Sequence, residues 1–178
     1  MLKISSNIHT VLWPYVVGAV AGQDPATAEA TYQTYLRELY REAGVDPDAP
    51  GVAGGRYSSD FFVAFLDHLA GKPYFDPFRR ALPILGVDGS LTGIAPDSPA
   101  VGHVFAKTGT GVGRFDPAGP PTVYKALAGY VEMPDGRWVT FAQFMEVPVE
   151  SVPAGQALAE RAGAAMGEIA ALVHGSAG

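Results

Sequence analysis

The order of periodicities in the chain predicts an α+β fold: helices, then strands, then a closing helix. Three observations carry that reading. Apolar residues recur at helical spacing from Ile8 to Leu69, period-two alternation sets in at Val104-Phe105-Ala106-Lys107 and returns twice, and an Ala- and Gly-rich helical pattern ends the chain. With 178 residues, 48% hydrophobic and 17% charged, and with 22 Gly and 15 Pro, the chain can bury a core and is rich in loops.

The first helix is predicted over Ile8 to Ala21, largely buried, and entered through Ser5-Ser6-Asn7, where a small polar residue can cap the first turn. Its run Val11 to Ala21 imitates a signal peptide. Ser5, Ser6, Asn7 and His9 make the start polar, however, and Pro14 interrupts an apolar core too short for a membrane span, so the segment is read as part of the folded protein. Asp24-Pro25 begins a second helix to Ala43, with Tyr32, Tyr35, Leu36, Leu39 and Tyr40 at helical spacing until Gly44. Those tyrosines are read as packing, not as a ligand box.

Asp46 to Gly55 is a loop by its prolines and glycines. Ser58-Ser59-Asp60 caps a third helix, whose apolar side is Phe61, Phe62, Phe65, Leu66 and Leu69 and which Gly71 closes. Asp76-Pro77 opens one short helical turn that Pro83 ends, and Leu85 to Leu91 is turn-rich, with Asp88-Gly89 suited to positive φ. A strand ending at Lys107 follows, then a connection from Gly109 to Pro121. Strands over Val123 to Val131 and Arg137 to Met145 flank the hairpin signal Pro134-Asp135-Gly136, which makes an antiparallel meander. The last helix, Gly155 to His174, places Leu158, Ala162, Ala165, Met166, Ile169, Leu172 and Val173 on one side, and its small residues allow close packing on the sheet. No repeat and no composition break divides the chain.

Composition excludes several functions. A net charge of −6 without a Lys/Arg cluster argues against nucleic acid. The lack of cysteine rules out disulfides and thiolate metal sites and leaves the compartment open. His9, His68, His103 and His174 lack metal-ligand spacing and are read as surface or structural residues, so no cofactor is expected. Gly109-Thr110-Gly111-Val112-Gly113 is not a nucleotide loop: Arg114 stands where a third glycine is needed, and Pro117, Pro120 and Pro121 prevent the helix that would hold phosphates.

Lys107 points off one face near its strand's end, beside the Thr108 hydroxyl and a glycine that lets a ligand approach the backbone; the triplet by itself reads either as a strand running into a turn or as a seat for a substrate carboxylate. Near the start, Ser5-Ser6-Asn7 is a serine-x-asparagine element; with Lys107-Thr108-Gly109 it makes two of the three motifs of serine β-lactamases and penicillin-binding proteins. The context adds Lys3-Ile4 before Ser5, Leu82 to Leu91, Val104 to Thr110 and Leu127-Ala128-Gly129-Tyr130. In that order and spacing nearly the whole chain resembles the C-terminal half of the D-alanyl-D-alanine carboxypeptidase/endopeptidase family, low-molecular-mass penicillin-binding proteins of the penicillin-binding protein 4 type.

The resemblance implies a β-lactamase/transpeptidase-like antiparallel sheet flanked by helices, incomplete here, with residues 1–178 the C-terminal portion of a single penicillin-binding domain. It implies action on peptidoglycan stem peptides ending in D-Ala-D-Ala, outside the cytoplasmic membrane, on the periplasmic or cell-wall side. In such enzymes a serine forms an acyl-enzyme and water releases it, and β-lactams are trapped at the acyl stage. Carried over by motif, Ser5 relays a proton to the leaving amine, Asn7 holds the substrate's amide, and Lys107 supports the relay and the field that binds the carboxylate. Thr108 or Thr110 donates to the carboxylate or acyl backbone, Gly109 admits the ligand, the strand pairs with the substrate, and the Thr110 amide contributes to the oxyanion hole.

The chain departs from the family pattern in two places. It has no Ser-x-x-Lys: the residues three before Lys72, Lys107 and Lys125 are Leu69, Val104 and Thr122, and Lys3 has none. Thr122-Val123-Tyr124-Lys125 comes nearest, but it lies in a predicted strand and is read as structural. Gly51-Val52-Ala53-Gly54-Gly55 stands where the family often has Asp-Gly-x-Gly. The nucleophile and a signal sequence are therefore expected on a further N-terminal segment or separate chain, a partner without which this chain should not hydrolyse peptide. The competing reading is a non-catalytic relative that binds peptidoglycan peptides or a partner chain.

Overall fold

A computed structural model of the protein describes residues 1–22, 24–53 and 57–176. In chain order these form α1 (Asn7–Gly22), α2 (Ala28–Glu42), α3 (Ser59–Ala70), α4 (Phe75–Ala81), β1 (Val104–Gly113), β2 (Thr122–Glu132), β3 (Trp138–Pro148) and α5 (Val152–Gly175). The α+β order expected from the sequence holds. The chain sorts into two compact units, one of Met1 with Ser5–Pro73 and one of Leu2–Ile4 with Tyr74–Gly178.

In the first unit, Asp24 caps a short 3-10 turn through its carboxylate, which accepts from the Ala26 amide at 2.9 Å, and α2 follows. Its far end closes through Gly44, at φ 74, with the Val45 amide donating to the Tyr40 carbonyl at 2.9 Å. Tyr40 is buried at the centre of an aromatic cluster, 4.9 Å from Phe61 with the rings edge to face, and its hydroxyl donates to that of Tyr57 at 3.2 Å. Burial, then that bond, pushes the Tyr40 hydroxyl's pKa well up. The α3 cap is as expected, Ser58 accepting from the Phe61 amide at 3.2 Å. Gly71 does close α3, but at φ −82 it uses no left-handed turn.

The expected burial of the first helix is corrected. Gly18 is the buried residue of α1, whereas Ile8, Val11 and Val20 are 73%, 66% and 77% exposed. Apolar residues surround the helix without a polar face, so the pattern does not say which flank packs. The flank that does is Gly18, set so close to α2 that a Cβ on it would lie 1.7 Å from the Ala28 carbonyl oxygen. Of the loop contrasted with Asp-Gly-x-Gly, Gly54 and Gly55 lie outside the described residues.

The second unit is built on an antiparallel sheet of order β1-β2-β3, in which Lys107 faces Ala128 and Thr110 faces Lys125. The β2–β3 hairpin turns at Gly136, φ 82. The expected end of the first strand at Lys107 is also corrected: β1 runs on to Gly113, leaving 114–121 as the connection. Gly109, Gly111 and Gly113 weaken the strand pattern in the sequence, yet each pairs with β2. Gly111 leaves room for the Phe115 ring, whose Cζ lies 3.2 Å from where a Cβ would stand.

Helix α5, capped by Ser151 accepting from the Ala154 amide at 3.3 Å, packs on β1 and β2 and buries Gly155, Ala159, Gly167, Ala170, Ala171 and His174. This confirms close packing and corrects the face: Ile169 and Leu172, expected inside, are 52% and 73% exposed. A helix this close to a sheet selects its smallest residues for contact, as at Gly155, where a Cβ would lie 2.8 Å from Val112 Cγ1. The core beneath it gathers Leu85, Leu91, Val104, Leu127, Val131 and Met166. His174 is buried with Nδ1 on the Glu132 carbonyl, and His103 stacks on it at 4.7 Å, a structural use of both rings.

Candidate active site

The candidate site is the outer edge of β1. The Val104 carbonyl accepts from the Leu85 amide and the Ala106 amide donates to the Pro83 carbonyl, both at 3.0 Å, so even-numbered residues turn their backbone groups outward. The segment Pro83–Leu85 covers the edge as far as Ala106. Beyond it, no strand lies beside β1 among the described residues, and Thr108 and Thr110 present the next outward groups. An edge of this kind can accept an extended peptide as an added strand.

The side chains alternate about this edge. Val104 and Ala106 enter the core beneath α5, so Thr108 and Thr110 rise on the α5 side and Lys107 on the other. The Lys107 ammonium bends back to the edge and donates to the Thr108 carbonyl at 2.6 Å. Burial, followed by the nearby Lys125 charge, lowers the Lys107 pKa from its ordinary value. Ammonium, hydroxyls and outward amides thus meet along one short stretch, and together they can bind a carboxylate.

The turn-rich segment before β1 fixes one of those hydroxyls. Gly86 and Gly89 take φ 68 and 63. The Asp88 carboxylate accepts from the Ile84 amide at 3.0 Å and pairs with Lys3 at 2.7 Å. The loop so held places the Ser90 hydroxyl 2.9 Å from that of Thr108. Ser90 was not singled out in the sequence as a site residue, since its role depends on tertiary contact with β1.

Ser5 and Asn7 belong to the first unit, Lys107, Thr108, Gly109 and Thr110 to the second. The structure therefore brings the four β1 residues together and describes the serine-x-asparagine element separately. There the capping position falls to Ser6, whose carbonyl accepts the Thr10 amide at 3.2 Å and whose hydroxyl meets His9 Nδ1 at 2.6 Å. Asn7 opens α1 and is exposed; Ser5 is exposed and left-handed at φ 51, a conformation costing a non-glycine residue about 1 kcal/mol. Among the described residues no group of His, Asp or Glu could hold a metal ion, and no helix is long and apolar enough to cross a membrane.

No curated protein matches the chain. A crystal structure of penicillin binding protein 4 (dacB) from Haemophilus influenzae matches with a TM-score of 0.57 and 23% identity, over 81% of this chain and 31% of that one. The same protein complexed with a novel β-lactam matches with a TM-score of 0.56 and 23% identity, over 81% and 32%. At that identity the likeness shows a shared fold, with the incomplete sheet expected from the sequence, and the chain spans under a third of the length of these structures. The model of a family of serine D-Ala-D-Ala carboxypeptidases matches residues 1–166, almost the whole chain. The chain belongs to the D-Ala-D-Ala carboxypeptidase 3 (S13) family.

Proposed function

We propose that residues 1–178 are the C-terminal portion of a single penicillin-binding domain, the substrate-binding part of a serine-type D-Ala-D-Ala carboxypeptidase that acts on peptidoglycan stem peptides outside the cytoplasmic membrane. The observation that carries this reading is the β1 edge of a family member: a half-buried ammonium, two hydroxyls and outward backbone groups within four consecutive residues. The stem peptide lies along β1 as an added strand, its carboxylate held by Lys107 with Thr108 or Thr110. Gly109 presents no side chain to obstruct it, and the outward Thr110 amide donates to the developing oxyanion. Ser5 relays a proton to the leaving D-alanine and Asn7 holds the peptide's amide. β-Lactams enter the same edge. The attacking serine and its lysine come from a Ser-x-x-Lys segment or chain beyond this sequence, which contains none.

The test is acylation by a fluorescent penicillin. This chain alone should remain unlabelled, a polypeptide joining it to a Ser-x-x-Lys segment should be labelled, and Lys107→Ala in the longer form should lose most of the labelling. Covalent labelling of the chain alone would defeat the missing-nucleophile argument. The lack of Ser-x-x-Lys also supports a second reading, a relative that holds stem peptides or a partner without chemistry. It predicts reversible binding of D-Ala-D-Ala peptides with no labelling in either form, and flat calorimetric titrations would count against it.

A further inference from the structure

We propose that Lys125 is a positioning residue of this site that selects ligands ending in a free carboxylate, by fixing the Thr110 hydroxyl as a donor and adding a second positive charge to the β1 edge. The inference rests on the carboxylate-binding role given above to the β1 edge. Lys125 is the cross-strand partner of Thr110, and its ammonium donates to Thr110 Oγ1 at 2.7 Å. An ammonium has donors and no acceptor, so the Thr110 hydroxyl must be the acceptor in this pair. Its own proton is then free to turn to a ligand, and the cation at its oxygen strengthens it as a donor. A hydroxyl polarised this way favours an anion over a neutral amide.

The position of Lys125 is built by α5. Gly163 faces it, and a Cβ there would lie 2.8 Å from Lys125 Cε and 3.1 Å from Nζ, so the absence of a side chain admits the ammonium against the helix. Among the described residues, no carboxylate lies within ion-pair distance of Lys125. Burial lowers its pKa, and its charge adds to the lowering at Lys107. Two cations that disfavour each other on adjacent strands are relieved by an arriving anion. Thr122-Val123-Tyr124-Lys125, read in the sequence as structural, thus carries a residue of the site.

The test uses this chain with acetyl-D-Ala-D-Ala and its C-terminal amide, followed by calorimetry, and with Lys107 followed by carbon NMR through a pH titration. Wild type should prefer the carboxylate; Lys125→Met should weaken that peptide about tenfold and the amide little, and Lys125→Arg should restore most of the preference. Lys107 should titrate at higher pH in Lys125→Met, a change that lost packing alone would not produce. Wild type binding neither peptide overturns the functional reading and the inference resting on it. Wild type that binds, with Lys125→Met unchanged in affinity or in the Lys107 midpoint, overturns the inference alone.

Discussion

Replacing Gly129 by alanine should strike both the stability of the second unit and the seat of Lys107. Gly129 is buried on β2 opposite Ala106, and a Cβ on it would lie 2.1 Å from the Phe105 carbonyl oxygen, 2.6 Å from Ala106 Cα and 2.8 Å from Ala106 Cβ. The first two are backbone atoms of β1 and cannot rotate away. Relief requires the strands to part where the ladder holds them about 4.8 Å apart. Overpacking of this kind costs about 1–3 kcal/mol, and a weakened ladder bond adds about 1 kcal/mol, so about 3 kcal/mol is expected. For a chain of this length that lowers the melting midpoint by roughly 6–12 °C. The assay is thermal unfolding followed by circular dichroism, with Gly93→Ala as control. Gly93 has nothing within 4 Å of a Cβ, so the control should stay within about 0.5 kcal/mol of wild type. A Gly129→Ala protein melting within about 2 °C of wild type would refute the argument, because such a β1–β2 interval could not be as tight as described.

Three further outcomes are expected. Lys107 and Lys125 both titrate below their ordinary 10.5 in the folded protein, so between their folded midpoints and that value the unfolded chain binds more protons and stability rises with pH. Urea unfolding from neutral to alkaline pH should show a shallower rise in Lys107→Met than in wild type, and equal slopes would contradict the burial of the ammonium. On α1, Val11→Glu and Val16→Glu, at sites 66% and 51% exposed, should each change stability by less than about 0.5 kcal/mol in denaturant melts; a loss above about 2 kcal/mol would mean that the helix is packed. Removing the α3 cap with Ser58→Ala should cost about 1 kcal/mol, and Ser58→Asp should recover most of it, both read by chemical denaturation.

What could be read from the sequence was local. The Ser58 cap, Gly44, Gly136 and the short helix before Pro83 follow from backbone preferences spanning a few residues, and each is found where expected. Burial was legible only where periodicity was unambiguous. The α1 pattern, apolar on every side, predicts an inside helix, whereas its contact with α2 needs the single gap at Gly18. In α5 large apolar residues draw the eye to Ile169 and Leu172, while the packing distance admits Gly155, Ala159 and Gly167. Such a distance is set by both partners, and neither partner's sequence contains it.

The site divides along the same line. Lys107-Thr108-Gly109-Thr110 is contiguous, so one strand suffices to align its groups, whereas Ser90 and Lys125 reach Thr108 and Thr110 through a loop and a cross-strand register. Ordinary structural uses for the motif residues can then be weighed one at a time. Helix capping could have explained Ser5 or Asn7, but the capping position falls to Ser6. A surface ion pair could have explained Lys125, but its ammonium is given to a hydroxyl and pressed against Gly163. Strand termination could have explained Lys107-Thr108-Gly109, but β1 continues to Gly113. Two half-buried ammoniums on adjacent strands beside an open sheet edge each lose hydration, and the Lys125 charge further disfavours that of Lys107. An anion at the edge would offset that cost, which is the carboxylate-binding role proposed for it.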